Sequence, residues 1–198
     1  LLVLGLGYER HIKQYKELTD TLRETIAEGA TVIADHPFGV EGAGKYFSEN
    51  PELLYFIDAV ETFNGEASFA FPFPPLNIPR KANEKAVEFH RNFSREYPHL
   101  GVISTSDGHS LYELGKSWTE IDEPDLENAR NFLPSLKKSV RNARYHNQHE
   151  AKWLGRLGTF DHIADLTVIV KIAPKIGLEK IFETERPEYY LPPRVLPK

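Results

Sequence analysis

Apolar positions run through the first two thirds of the chain in two alternating rhythms. Leu1–Leu6 is a short apolar run broken by Gly5 and followed by Gly7, and it predicts a buried strand. From His11 to Ala27, Ile12, Tyr15, Leu18, Leu22 and Ile26 recur at helical spacing, and Gly29 stops the helix they predict. Thr31–Ala34 is apolar and β-branched on both faces, a second strand. A third strand, Ala59–Thr62, follows a short helix or turn. The run FAFPFPPLNIP, from Phe69 to Pro79, is too rich in proline for a regular element and reads as a rigid loop. Asn83–Tyr97 predicts a helix with Ala86, Phe89, His90 and Phe93 on one face. Gly101–Thr105 is a fourth strand and Ser117–Ile121 a short edge strand. Continuously apolar strands separated by helices imply α/β architecture with a parallel sheet or barrel.

Beyond Pro124 the character changes. Leu126–Tyr145 reads as a basic helix carrying Lys137, Lys138, Arg141 and Arg144, with a further helix over Glu150–Leu157. Thr167–Ile172 fits strand or helix, and the proline-rich tail from Arg186 reads as extended. The predicted division is residues 1–123 as the α/β part and 124–198 as a helical extension with its tail. The basic stripe reads as a solvated helix face. His146 and His149 read as exposed helix residues, and Asp161 and His162 are treated likewise. Gly5-x-Gly7 lacks the third glycine of a dinucleotide loop.

Composition narrows the chemistry. The 198 residues carry a formal net charge of -5 and no cysteine. Disulfides and thiolate metal sites are therefore excluded, and any metal must be held by His, Asp or Glu. The acidic balance weighs against a nonspecific nucleic-acid binder. No apolar run approaches the ~20 residues that span a bilayer, and the apolar start lacks the basic residues of a signal peptide. No membrane association and a cytoplasmic location are the expectation. The chain has no methionine and opens inside a strand-like run, which reads as a start within a domain.

The ionisable residues cluster where strands end. The second strand runs into Asp35-His36-Pro37, the third into Glu61-Thr62-Phe63-Asn64-Gly65, and the fourth into Ser106-Asp107-Gly108-His109. In parallel α/β folds the C-terminal strand ends open on one face, so three distant segments converge on one spot. Imidazole and carboxylate suit zinc, manganese or iron. Asp107 and His109, two apart, would share one face of an extended strand, and His36 would add a ligand from another. By the same alternation Asp35 should point away, opposite His36. With no cysteine and no convincing Ser-His-Asp arrangement, metal-activated water is the simplest chemistry.

The segments VIADHPFG, FIDAVETFNG, NEKAVEFHR and GVISTSDGHSLYELGKSWTEI, in this order, resemble the later motifs of the PHP family, the polymerase and histidinol phosphatase domain. The resemblance covers about Leu1 to Ile121. It implies a distorted (β/α)7-type barrel, incomplete at its N-terminus here, with two or three divalent ions (manganese, zinc or iron) in the complete domain. It implies ligand roles for His36, Asp107 and His109. Glu61 and Asn64 fall on its Glu-x-x-Asn motif, and together with Ser106 they are expected to support the ligands or order the loops. The opening His-x-His, the histidine that follows and the bridging glutamate of that family have no counterpart in the chain. The first strand resembles the one just after that glutamate.

The expected function is hydrolysis of a small phosphate monoester or nucleotide, with a small phosphorylated substrate as partner and nucleic acid less favoured. The alternatives are a polymerase-associated or nuclease-like PHP domain, which would need the basic helix to face the site, and a non-catalytic scaffold or regulatory remnant. A relative of the amidohydrolases is a further metal-dependent rival. The oligomeric state is left open.

Overall fold

A computed structural model describes residues 2–4, 17–39, 42–65, 67, 78–108, 114–115, 117–144 and 148–149. Strand β1 (Leu2–Leu4) and helix α1 (Leu18–Ala27) precede β2 (Thr31–Ala34). Helix α2 (Gly44–Glu49) and a 3-10 helix (Pro51–Phe56) lead into β3 (Ala59–Asn64). Helix α3 (Ile78–Phe93) connects to β4 (Gly101–Thr105). Then come β5 (Trp118–Thr119), α4 (Ala129–Asn142) and β6 (Gln148–His149).

The fold is mixed α/β. One sheet has the order β1-β2-β3-β4, and β5 and β6 form a separate antiparallel pair. β2, β3 and β4 are parallel, as their unbroken apolar runs require. β1 departs from the parallel expectation: it runs antiparallel to β2. An apolar run followed by a helix does not encode strand direction, so nothing in the pattern distinguished the two.

Side-chain alternation along the strands separates two cores. Val32, Ala34 and Val60 pack with Leu22 of α1, Phe47 of α2, Leu53 and Leu54 of the 3-10 helix and Phe89 of α3. Ile33, Ala59 and Ile103 turn to the other face and meet Leu136, Val140 and Ala143 at the α4 end of the chain. The expected closed (β/α)7 barrel is not formed by the described residues. Their sheet is open, and the face opposite the crossover helices, which a barrel would turn inward, is covered by α4. That contact is close enough that a Cβ on Gly101 would lie 2.0 Å from the carbonyl oxygen of Val140.

A buried carboxylate fastens α4. Asp58, 1% exposed, accepts hydrogen bonds from the Val32 main-chain N–H (2.8 Å) and from Arg141 Nε (2.6 Å), and Lys137 Nζ lies 3.7 Å away. Two members of the basic stripe are thus tied to the sheet, not to solvent alone. The Val102 N–H also donates to the Ala143 carbonyl at 3.1 Å.

Several boundaries move. α3 starts five residues before the predicted Asn83, with Pro79 in its first turn, where a missing N–H costs nothing. α4 occupies only the middle of the predicted 126–145 span, capped by Asn128, whose side chain accepts the Arg130 N–H at 3.0 Å. His149 lies in β6 and not in a helix. The predicted helix over 150–157, the 167–172 segment, the tail, His146, Asp161, His162 and most of the 69–79 loop lie outside the described residues. Among the described residues no helix is long and apolar enough to cross a membrane.

Candidate metal centre

The site forms where β2, β3 and β4 end. β2 stops at Ala34, and the chain reverses in a turn closed by the Gly39 N–H on the His36 carbonyl (2.8 Å) and the Gly44 N–H on the Pro37 carbonyl (2.6 Å). His36 takes a φ of 26°, in the sparsely populated left-handed region. Its main-chain N–H then donates to Oε2 of Glu61 at 2.6 Å.

Glu61 belongs to β3 and is 1% exposed. It would share a face with Asn64 only if strand alternation were broken, because residues three apart point to opposite sides. The break is present: Glu61 pairs with Ile103 and Phe63 with Ser104, so Thr62 is an extra residue, a bulge. Past it, the Asn64 side chain turns back to Glu61. Asn64 Nδ2 lies 3.3 and 3.5 Å from the two Glu61 oxygens and donates to Asp107 Oδ2 at 2.9 Å. Asn64 Oδ1 accepts the Ala67 N–H at 3.1 Å, which fixes the carboxamide with its donor toward the carboxylates.

β4 contributes Thr105, whose hydroxyl donates to Oε1 of Glu61. Beyond the strand, Asp107 adopts a φ of 43°, a second left-handed residue at a strand end. Backbone strain of this kind costs about 1–3 kcal/mol per residue and persists where the surroundings impose it. Gly65 permits the β3 and β4 ends to approach: a Cβ there would sit 2.7 Å from the Ser106 carbonyl oxygen. Ser106 meets the cluster through this backbone contact.

The electrostatics are unbalanced in favour of a cation. His36 Nδ1 lies 3.4 Å from Asp35 Oδ2 and 3.8 Å from oxygens of both Glu61 and Asp107. Ligand atoms of Asp35, His36 and Glu61 all lie within 4.8 Å of one another. Three carboxylates thus face one imidazole. Burial above all pushes the Glu61 carboxyl up to about 7, with the Asp35 charge adding to the rise. Hydrogen bonds from Thr105, the His36 N–H and Asn64 oppose it. A divalent cation would supply the missing positive charge, and the imidazole-plus-carboxylate donor set fits one. The half-exposed His36 side chain leaves the cluster open to solvent on one side.

Of the residues singled out from sequence, the fold brings His36, Glu61, Asn64 and Asp107 together, with Ser106 beside them. His109 lies outside the described residues. The expectation for Asp35 is corrected: its carboxylate stays beside the His36 ring, because the left-handed turn at His36 ends the strand alternation that would have separated them. Thr105 and Asn83 were missed. Thr105 could have been found as the last residue of a strand that ends at the site. Asn83 donates to and accepts from the Asn64 main chain, and its only signal was the asparagine that opens NEKAVEFHR. Compared with protein-family models, curated proteins and solved structures, the chain gives no match.

Proposed function

We propose that the protein is a metal-dependent phosphoesterase of the PHP type, acting on a small phosphate monoester or nucleotide. The observation that carries this reading is the meeting of His36, Glu61 and Asp107 from three parallel strand ends, with Asp35 beside them. His36 and Asp107 would hold the ion, with Asp35 and Glu61 in reach and His109, two residues beyond Asp107, completing the motif. A divalent ion in such a place supplies positive charge to phosphate oxygens and lowers the pKa of water. The chain's own residues hold the geometry. The Glu61 carboxylate fixes the turn by accepting the His36 main-chain N–H, Asn64 bridges two carboxylates, and Thr105 secures Glu61 from the neighbouring strand. The PHP resemblance of the same three segments supports the phosphoesterase assignment. The nuclease-like alternative loses support, because Lys137 and Arg141 are engaged by Asp58, which precedes β3, and not by the carboxylates of the candidate centre.

The test is elemental analysis of the purified chain beside a His36→Ala, Asp107→Ala variant, followed by a screen of phosphomonoesters and nucleotides. Manganese, zinc or iron held by the parent and absent from the variant, with phosphate release in the parent alone, is the expected result. A parent that retains no metal after incubation with each would move a scaffold role ahead.

A further inference from the structure

We infer that Asn83 is a positioning residue for this centre, holding the Asn64 main chain so that the Asn64 carboxamide bridges Glu61 and Asp107. The inference rests on the metal-centre reading above. β2 accompanies β3 only as far as the Ala34–Val60 pair, because β2 turns away at Asp35. β3 nevertheless continues four residues further, to Asn64. The Gly65 N–H bonds Thr105 on the β4 side, so the Asn64 N–H and C=O face the side that β2 has left. Asn83, reaching from α3, fills that place. Its Oδ1 accepts the Asn64 N–H at 3.0 Å and its Nδ2 donates to the Asn64 carbonyl at 3.0 Å. These are the two bonds that a partner strand would have made.

The chemistry requires a carboxamide. It places one donor and one acceptor side by side; aspartate lacks the donor and leucine lacks both. Glutamine carries the same group one methylene farther from the helix. What Asn83 holds is the anchor of a side chain fixed at three corners: Oδ1 on Ala67, Nδ2 on Asp107 and Glu61. Asn64 is 3% exposed, so water offers no easy substitute for these contacts. A shift of its main chain would move the donor out from between the two carboxylates.

The experiment measures manganese(II) binding to the full chain by calorimetry and by the electron-spin signal of the bound ion, for the parent, Asn64→Ala, Asn83→Ala and the double variant. Removing a group that orients a ligand typically costs 10–100-fold in metal affinity, so Asn83→Ala should weaken binding by about that factor. Because Asn83 acts through Asn64, the double variant should bind no more weakly than Asn64→Ala alone. Losses that multiply would overturn the inference. Should Asn83→Ala fail to fold, Asn83→Asp, which keeps the acceptor for the Asn64 N–H, is read in the same way. A parent that binds no manganese would count against the metal reading, not against Asn83. The metal-free chain then decides by NMR. The Asn64 side-chain amide protons should shift and exchange faster with solvent in Asn83→Ala, and unchanged resonances would overturn the positioning role.

Discussion

The Glu61 carboxylate accepts the main-chain N–H of His36 at 2.6 Å, so a buried side chain in one strand fixes the turn that ends its neighbour. The same carboxylate takes the Thr105 hydroxyl from the strand on its other side. Replacing Glu61, whose side chain is fully buried, by alanine would take the carboxylate from both donors and leave a void beside them. Each buried group left unsatisfied costs about 1–3 kcal/mol. Glu61→Ala should therefore lower unfolding stability by about 3 kcal/mol in denaturant titrations, whereas Glu61→Gln, which keeps an acceptor of the same shape, should lose about half of that or less. Equal losses in the two variants would mean that the turn needs both carboxylate oxygens or their charge, and that one carboxamide oxygen cannot replace them.

Gly65 is where the two strand ends touch. A methyl group there would meet the Ser106 carbonyl oxygen at 2.7 Å, a backbone atom that cannot swing aside. Gly65→Ala should push the β4 end away from β3 and cost about 1–3 kcal/mol, the range for forced overpacking. Because Ser106 directly precedes Asp107, metal binding should weaken as well. Stability and manganese affinity measured on one preparation check both parts. An unchanged affinity at reduced stability would show that Asp107 is held independently of this contact.

Periodicity made much of the architecture readable. Ala86, Phe89 and His90 do turn one face of α3 inward, and β2 and β4 match their apolar runs. What periodicity could not carry was the departures from it. The bulge at Thr62 puts Glu61 and Asn64 on one side, against the alternation of a regular strand. The left-handed turn at His36 keeps Asp35 at the site. Both depend on main-chain pairings between segments distant in sequence. The role of α4 was hidden for a different reason. Its apolar positions Leu136 and Val140 alternate with a basic stripe that reads as solvent-facing until its buried partner, Asp58, is known.

That partnership makes a prediction of its own. Removing one member of a fully buried ion pair costs about 3–5 kcal/mol, because the other charge stays buried without compensation. The Arg141 side chain is 38% exposed and Lys137 remains near Asp58, so the loss here is smaller. Arg141→Met should destabilise by about 2 kcal/mol in denaturant titrations, and Lys137→Met by less than half as much. Neither should change metal affinity, since Asp58 precedes β3 and neither Lys137 nor Arg141 contacts Glu61, Asn64 or the turn at His36 in the described hydrogen bonds and ion pairs. A loss of manganese binding in Arg141→Met would show that α4 docking reaches the site.

His90 provides a pH-dependent counterpart. Its ring is buried on α3, with Nε2 3.2 Å from the Leu100 carbonyl oxygen, so the neutral ring donates there. Burial holds its pKa below the ordinary 6.5; the Leu100 carbonyl works against the shift and the Arg144 cation works with it. Above about pH 6.5 the ring is neutral in both folded and unfolded chains and contributes no pH dependence. As pH falls below that value, the unfolded chain takes up a proton that the folded chain refuses, and stability drops until the folded-state pKa is reached. The slope for one such group cannot exceed about 1.4 kcal/mol per pH unit. Denaturant titrations of the parent and His90→Gln between pH 7.5 and about pH 5 isolate the effect, because contributions from the other titrating groups cancel in the difference. The parent should lose stability relative to the variant only below about pH 6.5. A difference that stays constant across the range would mean that His90 is as easily protonated in the folded chain as in the unfolded one.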